Sequence, residues 1–202
     1  PVIRASIIDN WEKKYIYNTN SIEGNTMSEK EVDDYIKTGK SRPTLSKREI
    51  YETNNMRHAL KYLKLKQTEE ISEGLIRELH FMVQKDIDES AGNYKNFYNY
   101  IRPHSPTTPP QHVRERMRML VEWHKETKDN LPPFVLAAAF HMQFEMIHPF
   151  ADGNGRVGRL LMNHILQKKG KLPVTILQKT KQNYYQALGN YSIPQFLLYT
   201  LT

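Results

Sequence analysis

The chain has no cysteine. A disulfide framework, a zinc–thiolate site and a cysteine nucleophile are therefore excluded, and a reducing compartment suits the sequence. No apolar window is long enough to cross a bilayer. The opening residues, Pro1-Val-Ile-Arg-Ala-Ser-Ile-Ile, lack the apolar core of a signal peptide. The resulting expectation is a soluble cytoplasmic protein with no membrane partner. Internal repeats, low-complexity segments and domain linkers are also missing. Apolar residues make up only 39% of the 202 residues, which is low but enough for one sizeable core.

What is present is helical periodicity. Trp11 to about Asn18 places Trp11, Tyr15 and Ile16 on one face. Thr19 to Glu23 is either a separate helical turn or the frayed end of that helix. Ser28 with Glu31 resembles a capping box that opens a helix stopping at Gly39. Further stripes run over 46–65, 72–83 and 113–125. Phe134 to Ile147 is apolar nearly all round, which places it at the centre of a bundle. Two last short helices are expected over 179–188 and 194–201. Phe97-Tyr-Asn-Tyr-Ile-Arg102 is the one strongly β-prone run. The prolines after it, at 103, 106, 109 and 110, limit it to a small hairpin or flap. The expectation is one all-α domain over 1–202: seven to nine helices and a short β-hairpin. Residues 1–45 form an N-terminal region and 46–202 the core.

Net charge is +7. The lysines are scattered in ones and twos, as at Lys61/Lys64/Lys66, so solvated helix faces explain them better than a nucleic-acid footprint.

The densest chemistry is His148-Pro-Phe-Ala-Asp-Gly-Asn-Gly-Arg-Val-Gly-Arg159, set between two apolar segments. Gly153-Asn154-Gly155 can present successive backbone N–H groups. A helix starting near Arg156 would add its free N–H groups and its dipole, which favour phosphate. Arg156 and Arg159 are spaced to share a helical turn, and both can fork onto phosphate oxygens. Asp152 is a hard oxygen ligand suited to Mg2+. His148, at the end of the preceding helix, can take a proton from a hydroxyl. The stretch itself carries no Gly-Lys-Ser/Thr, so it is not a P-loop. No hydrophobic strand precedes it, so it is not a Rossmann fingerprint.

This stretch resembles, at every fixed position, the His-x-Phe-x-Asp/Glu-Gly-Asn-Gly-Arg-x-x-Arg motif of the Fic (Fido) family. The resemblance extends to Gly92-Asn-Tyr-Lys95 before the flap, Tyr100-Ile-Arg102 in it, the helix from Gln111 to Trp123, and Tyr184-Tyr185. It implies a Fic-type helical bundle that transfers AMP from ATP to a protein Ser, Thr or Tyr hydroxyl. His148 is then the general base. Asp152 holds Mg2+, with Mn2+ as the alternative ion. Gly153, Asn154 and Gly155 form the anion hole, Arg156 and Arg159 bind phosphates, and Phe150 packs the loop into the core. Tyr184 and Tyr185 border the adenine, with Asn190 at its edge. Ile101, in the flap, is a further nucleotide-binding residue, and the target protein docks near Tyr100–Arg102 by strand addition. Self-AMPylation and a homodimer are compatible with the resemblance. Related phosphate-transferring toxins carry lysine at the second glycine, so Gly155 points to AMP transfer.

Thr19-Asn-Ser-Ile-Glu23-Gly24 is similar to the family's inhibitory Ser/Thr-x-x-x-Glu-Gly/Asn pattern. A Glu23 carboxylate brought to Arg159 would occupy the place of the γ-phosphate. Two other readings remain open. One is hydrolytic removal of AMP with Glu23 positioning a water. The other is a basic helical domain that senses nucleotide or binds nucleic acid. His141 and His164 are expected to be core or helix-surface residues rather than metal ligands.

Overall fold

The structure, a computed structural model, describes residues 2–102 and 105–200. Among these residues the elements run α1 (Val2–Ile22), α2 (Glu29–Thr38), α3 (Lys47–Leu65), α4 (Glu73–Gln84), β1 (Tyr100–Arg102), β2 (Ser105–Pro106), α5 (Pro110–Thr127), α6 (Pro133–Ile147), α7 (Asn154–Lys168), a 3-10 turn (Gln178–Thr180), α8 (Lys181–Gly189) and α9 (Ile193–Thr200). The fold is all-α, with one two-stranded antiparallel ribbon. No helix among the described residues is long and apolar enough to cross a membrane.

Local sequence signals fix most helix ends. Ser28 and Ser46 each accept the N–H of a glutamate three residues on, and that glutamate reaches back, so α2 and α3 both open with complete capping boxes. Such caps contribute about 1 kcal/mol each. Gly39 closes α2 in the left-handed conformation. The Gly39-Lys40-Ser41 triplet therefore follows a helix C-terminus instead of opening a helix, the wrong end for a phosphate. Ser72 caps α4 by accepting the Leu75 N–H. Prolines at the first turns of α5 and α6 supply the helical φ without losing an N–H that would be bonded.

The core lies around α6 and α7. From α6, Leu136, Phe140, Phe144 and Ile147 are buried; from α7, Val157, Leu160, Leu161 and Ile165. Met56 of α3, Leu79 of α4, Met117 of α5 and Tyr184 of α8 close around them. Gly158 lets α7 lie close to α6: a Cβ there would meet Glu145 Oε1 and His141 Nδ1 at 2.7 Å each.

Three expectations change. Of the two readings of Thr19–Glu23, a separate turn is excluded: α1 runs on past Asn18 through Thr19 to Ile22, so the segment is the end of that helix. Its inner face stays buried through Tyr15, Ile16, Thr19 and Asn20, and Lys181 Nζ donates to the Ile22 carbonyl at 2.5 Å, where a cation suits a helix C-terminus. Residues Phe97–Asn99 are not strand. The Asn99 side chain is engaged instead, its amide donating to the Phe150 carbonyl and its Oδ1 accepting from Lys95 and Thr107. The ribbon is only Tyr100↔Pro106 and Arg102↔Ser105, with a register shift. Finally, α7 begins at Asn154 rather than near Arg156.

Candidate active site

The site is the junction of α6 and α7. His148 ends α6 in the left-handed conformation, φ 50°, with its N–H on the Phe144 carbonyl at 2.9 Å. A non-glycine residue rarely adopts that conformation, and here neighbours hold it from several sides. The Lys95 N–H donates to the Pro149 carbonyl at 2.8 Å. Asn154 accepts the Phe150 N–H and donates back to the Phe150 carbonyl, both at 2.9 Å. The Phe150 ring is fully buried and stacks on His80 at 3.7 Å. His80 Nδ1 accepts the Gly92 N–H, so its proton sits on Nε2, which donates to the Asp152 carbonyl at 2.9 Å. Burial lowers the His80 pKa to about 4, so it stays in this neutral form.

Gly153 caps α7 at φ 78°. A Cβ there would press on the Gln84 side chain as well as strain the backbone. The first turn of α7 then opens onto a cleft of about 240 Å3. Glu23, Tyr100, Ile101, Glu145, His148, Asp152, Gly153, Asn154, Gly155, Arg159, Tyr184 and Tyr185 all line it. Most of the residues singled out in the sequence thus converge on one place.

Glu23 follows the last turn of α1 and reaches across the cleft mouth. Its Oε1 accepts from Arg159 Nη2 at 2.7 Å. A Cβ on Gly155 would collide with that same oxygen. The carboxylate therefore sits where the glycine-lined N-terminus of α7 would hold an anion. Arg159 is 1% exposed, Glu23 29%. Thr19, one helical turn earlier, accepts Arg159 Nε through Oγ1 at 2.8 Å and Nη2 through its carbonyl at 3.1 Å. Burial alone would lower the Arg159 pKa. The Glu23 charge, aided by Tyr184 and Tyr15, outweighs that and raises it.

Two expected ligands fall elsewhere. Arg156 does not line the cleft. It is buried beneath the loop, 3.3 Å from Glu52 and 3.5 Å from Asp152. Asn190 is exposed, donates to Gln195 at 3.3 Å and lies off the cleft. Tyr184 does line the cleft but is 1% exposed; its hydroxyl joins Arg159 at 3.4 Å and His141 Nε2 at 2.9 Å. His141 and His164 are buried, as expected, with His164 Nε2 on the Glu69 carbonyl.

The sequence reading missed Arg48, Glu52 and Glu145. Arg48 Nη2 donates to Asp152 Oδ2 at 2.5 Å, and Glu52 joins Arg48, Arg156 and Asn25. These partners lie about a hundred residues from the loop, so no local spacing marks them. Glu145 carries a signal: it is the one carboxylate in a mostly apolar helix, three residues before His148.

Asp152 can serve a divalent cation. Its carboxylate is half exposed on the cleft, and its lowered pKa keeps it ionised: burial opposes this, but Arg156 and bonds from Gly153 and Arg48 outweigh it. No cluster of three or more acidic or histidine ligands occurs among the described residues. The remaining ligands would have to be phosphate oxygens and water.

A Fic/DOC family model matches residues 70–166, which hold the flap, the loop and most of α7. The protein adenylyltransferase fic-1 of Caenorhabditis elegans is 34% identical over 180 residues, 86% of this chain and 35% of that protein. This chain belongs to the Fic/DOC family. A Fic-domain signaling protein from Bacteroides thetaiotaomicron superimposes with a TM-score of 0.89 at 26% identity, over 98% of this chain and 84% of that one. A structure of Fic-1 from C. elegans superimposes with a TM-score of 0.82 at 33% identity, over 92% of this chain and 57% of that one. The Fic chain described here spans about a third of the length of the curated relatives it matches.

Proposed function

We propose that this Fic protein transfers AMP from ATP to a Ser, Thr or Tyr hydroxyl of a protein, and that Glu23 holds the activity down. One observation carries the reading. Glu23 lies on Arg159 and over Gly155, in the same cleft as His148. A buried guanidinium needs an anionic partner. Either Glu23 or a nucleotide phosphate can meet that need, but not both in one place. The relatives named protein adenylyltransferase support the choice of AMP as the group moved.

In this reading the N–H groups of α7's first turn and Arg159 take the phosphates. Asp152 would hold Mg2+, which neutralises phosphate charge when bound. The target backbone runs along the edge of β1, near Tyr100 and Ile101, with its hydroxyl at His148. His148 takes the hydroxyl proton. The oxygen bonds to the α-phosphorus, and the bond to the pyrophosphate oxygen breaks. With Glu23 in place, ATP enters without its γ-phosphate on Arg159, and the α-phosphorus is not presented to the hydroxyl. Arg156 supports the loop from below instead of touching phosphate.

The test is labelling with α-labelled ATP and Mg2+ in a lysate, reading the target and the protein itself. Glu23→Gly is expected to raise labelling at least about tenfold, and His148→Ala to abolish it. Equal labelling by wild type and Glu23→Gly sinks the inhibition. No labelling by either sinks AMP transfer. A second reading, hydrolysis of AMP from a modified target, is favoured by the partial exposure of the Glu23 carboxylate on the cleft. It requires AMP release from a modified protein that stops in Glu23→Gly.

A further inference from the structure

Glu145 is a carboxylate in the apolar interior that the reaction above does not use. It is 4% exposed. Its Oε2 lies 3.5 Å from His148 Nδ1, longer than a hydrogen bond, yet catalytic hydrogen bonds often tighten only when substrate is bound. His148 Nδ1 is buried and has no other partner. The ring lines the cleft, so Nε2 is the nitrogen left for chemistry.

The other side of Glu145 is fixed by a chain of donors. Arg159 can only donate, and it donates to the Tyr184 hydroxyl at 3.4 Å. The hydroxyl proton then goes to the other neighbour, His141 Nε2, at 2.9 Å. An imidazole that accepts on Nε2 and is neutral carries its proton on Nδ1. His141 is fully buried and burial lowers its pKa to about 4, so it is neutral. Its Nδ1 and Glu145 Oε1 make no hydrogen bond in the structure, and each lies 2.7 Å from the place a Cβ on Gly158 would take, so the absent side chain leaves them neighbours. Glu145 thus lies between two imidazoles, with the His141 N–H side near Oε1 and His148 Nδ1 3.5 Å from Oε2.

We propose that Glu145 is a positioning residue: by accepting from His148 Nδ1 it keeps the proton there and leaves Nε2 free to act as base. The proposal rests on the AMP-transfer reading, and the polarity of the network makes it specific. Glu145→Gln keeps the shape, but the amide oxygen must face the His141 N–H. The amide NH2 then faces His148 Nδ1, turns it into an acceptor and moves the proton to Nε2. A swap of this kind gives the wrong tautomer in a folded protein.

Two measurements test it, both on Glu23→Gly protein. Heteronuclear NMR of isotope-labelled histidine is expected to show His148 mainly as the Nδ1–H tautomer, and the added Glu145→Gln change to invert that ratio. This readout needs no activity, so it separates failure of this proposal from failure of the AMP-transfer reading. In steady-state AMP transfer, Glu145→Gln is expected to lower kcat at least about thirtyfold while KM for ATP stays within about threefold. A His148 that is already mainly Nε2–H before Glu145 is changed overturns the proposal, whether or not the Gln variant folds. So does a kcat loss with an unchanged tautomer ratio, or a kcat within about threefold of the parent.

Discussion

Two helix ends meet at this cleft, and they are held in different ways. The α6–α7 loop is fixed through its backbone: Lys95 and Asn99 grip the Pro149 and Phe150 carbonyls, His80 grips that of Asp152, and Asn154 ties Phe150 twice. The end of α1 has two backbone ties, the Thr19 and Ile22 carbonyls, but it closes on the cleft through side chains, Glu23 and Thr19 on Arg159, with Asn18 on Gln178. A backbone clamp cannot be released without disturbing the core. A side-chain clamp with one partly exposed oxygen can. In the reading proposed above, the geometry that would carry the chemistry is permanent, and what would block it is removable.

Breaking the permanent side has the largest expected effect. His148→Ala should reduce AMP transfer more than about a thousandfold, roughly 4 kcal/mol of barrier, with little change in Tm. Phe150→Ala removes a fully buried ring from between His80 and Phe144. Denaturant unfolding should show a loss of about 3–5 kcal/mol. Acid acts on the scaffold as well. Burial holds His124 and His141 at pKa values of about 4, against about 6.5 when unfolded. The unfolded chain therefore binds more protons across that window. Stability from these two residues is complete above pH 6.5 and falls as pH drops toward 4, by up to about 2–3 kcal/mol between pH 6 and pH 5. A flat midpoint in urea titrations over that range would contradict it.

Breaking the removable side has smaller effects on folding and opposite effects on activity. Glu23→Gly should cost the nucleotide-free protein about 1–3 kcal/mol by leaving Arg159 without its anion. ATP should then raise the Tm of this variant more than that of wild type, since phosphate restores the partner. Thr19→Val should do the least. It removes one hydrogen bond to Arg159 Nε while the Thr19 carbonyl remains, for about 1 kcal/mol and a rise in AMP transfer of about fivefold or less.

The sequence was most legible where function is built from neighbours along the chain. The caps of α2, α3 and α4, the apolar identity of α6 and the residues of the loop are local patterns. Legibility fell where a side chain could turn either way. Spacing put Arg156 and Arg159 on one turn, but the burial of Glu52 and the pairing of Asp152 drew Arg156 under the loop. Asn190 was placed by the resemblance alone, and α8 ends before carrying it to the cleft. The flap was overestimated because Asn99, in a β-prone run, is committed to bonds with the loop. Arg48 shows the limit most clearly, since its contact with Asp152 spans 104 residues of chain.

Glu23 precedes Arg159 by 136 residues. A ribosome therefore releases the stopper well before the arginine it closes on, and α7 completes the cradle with the carboxylate already made. At roughly 5–20 residues per second the lag is many seconds, long against helix formation. In the reading proposed above, no nascent chain of this protein carries a finished phosphate cradle without the residue that would plug it.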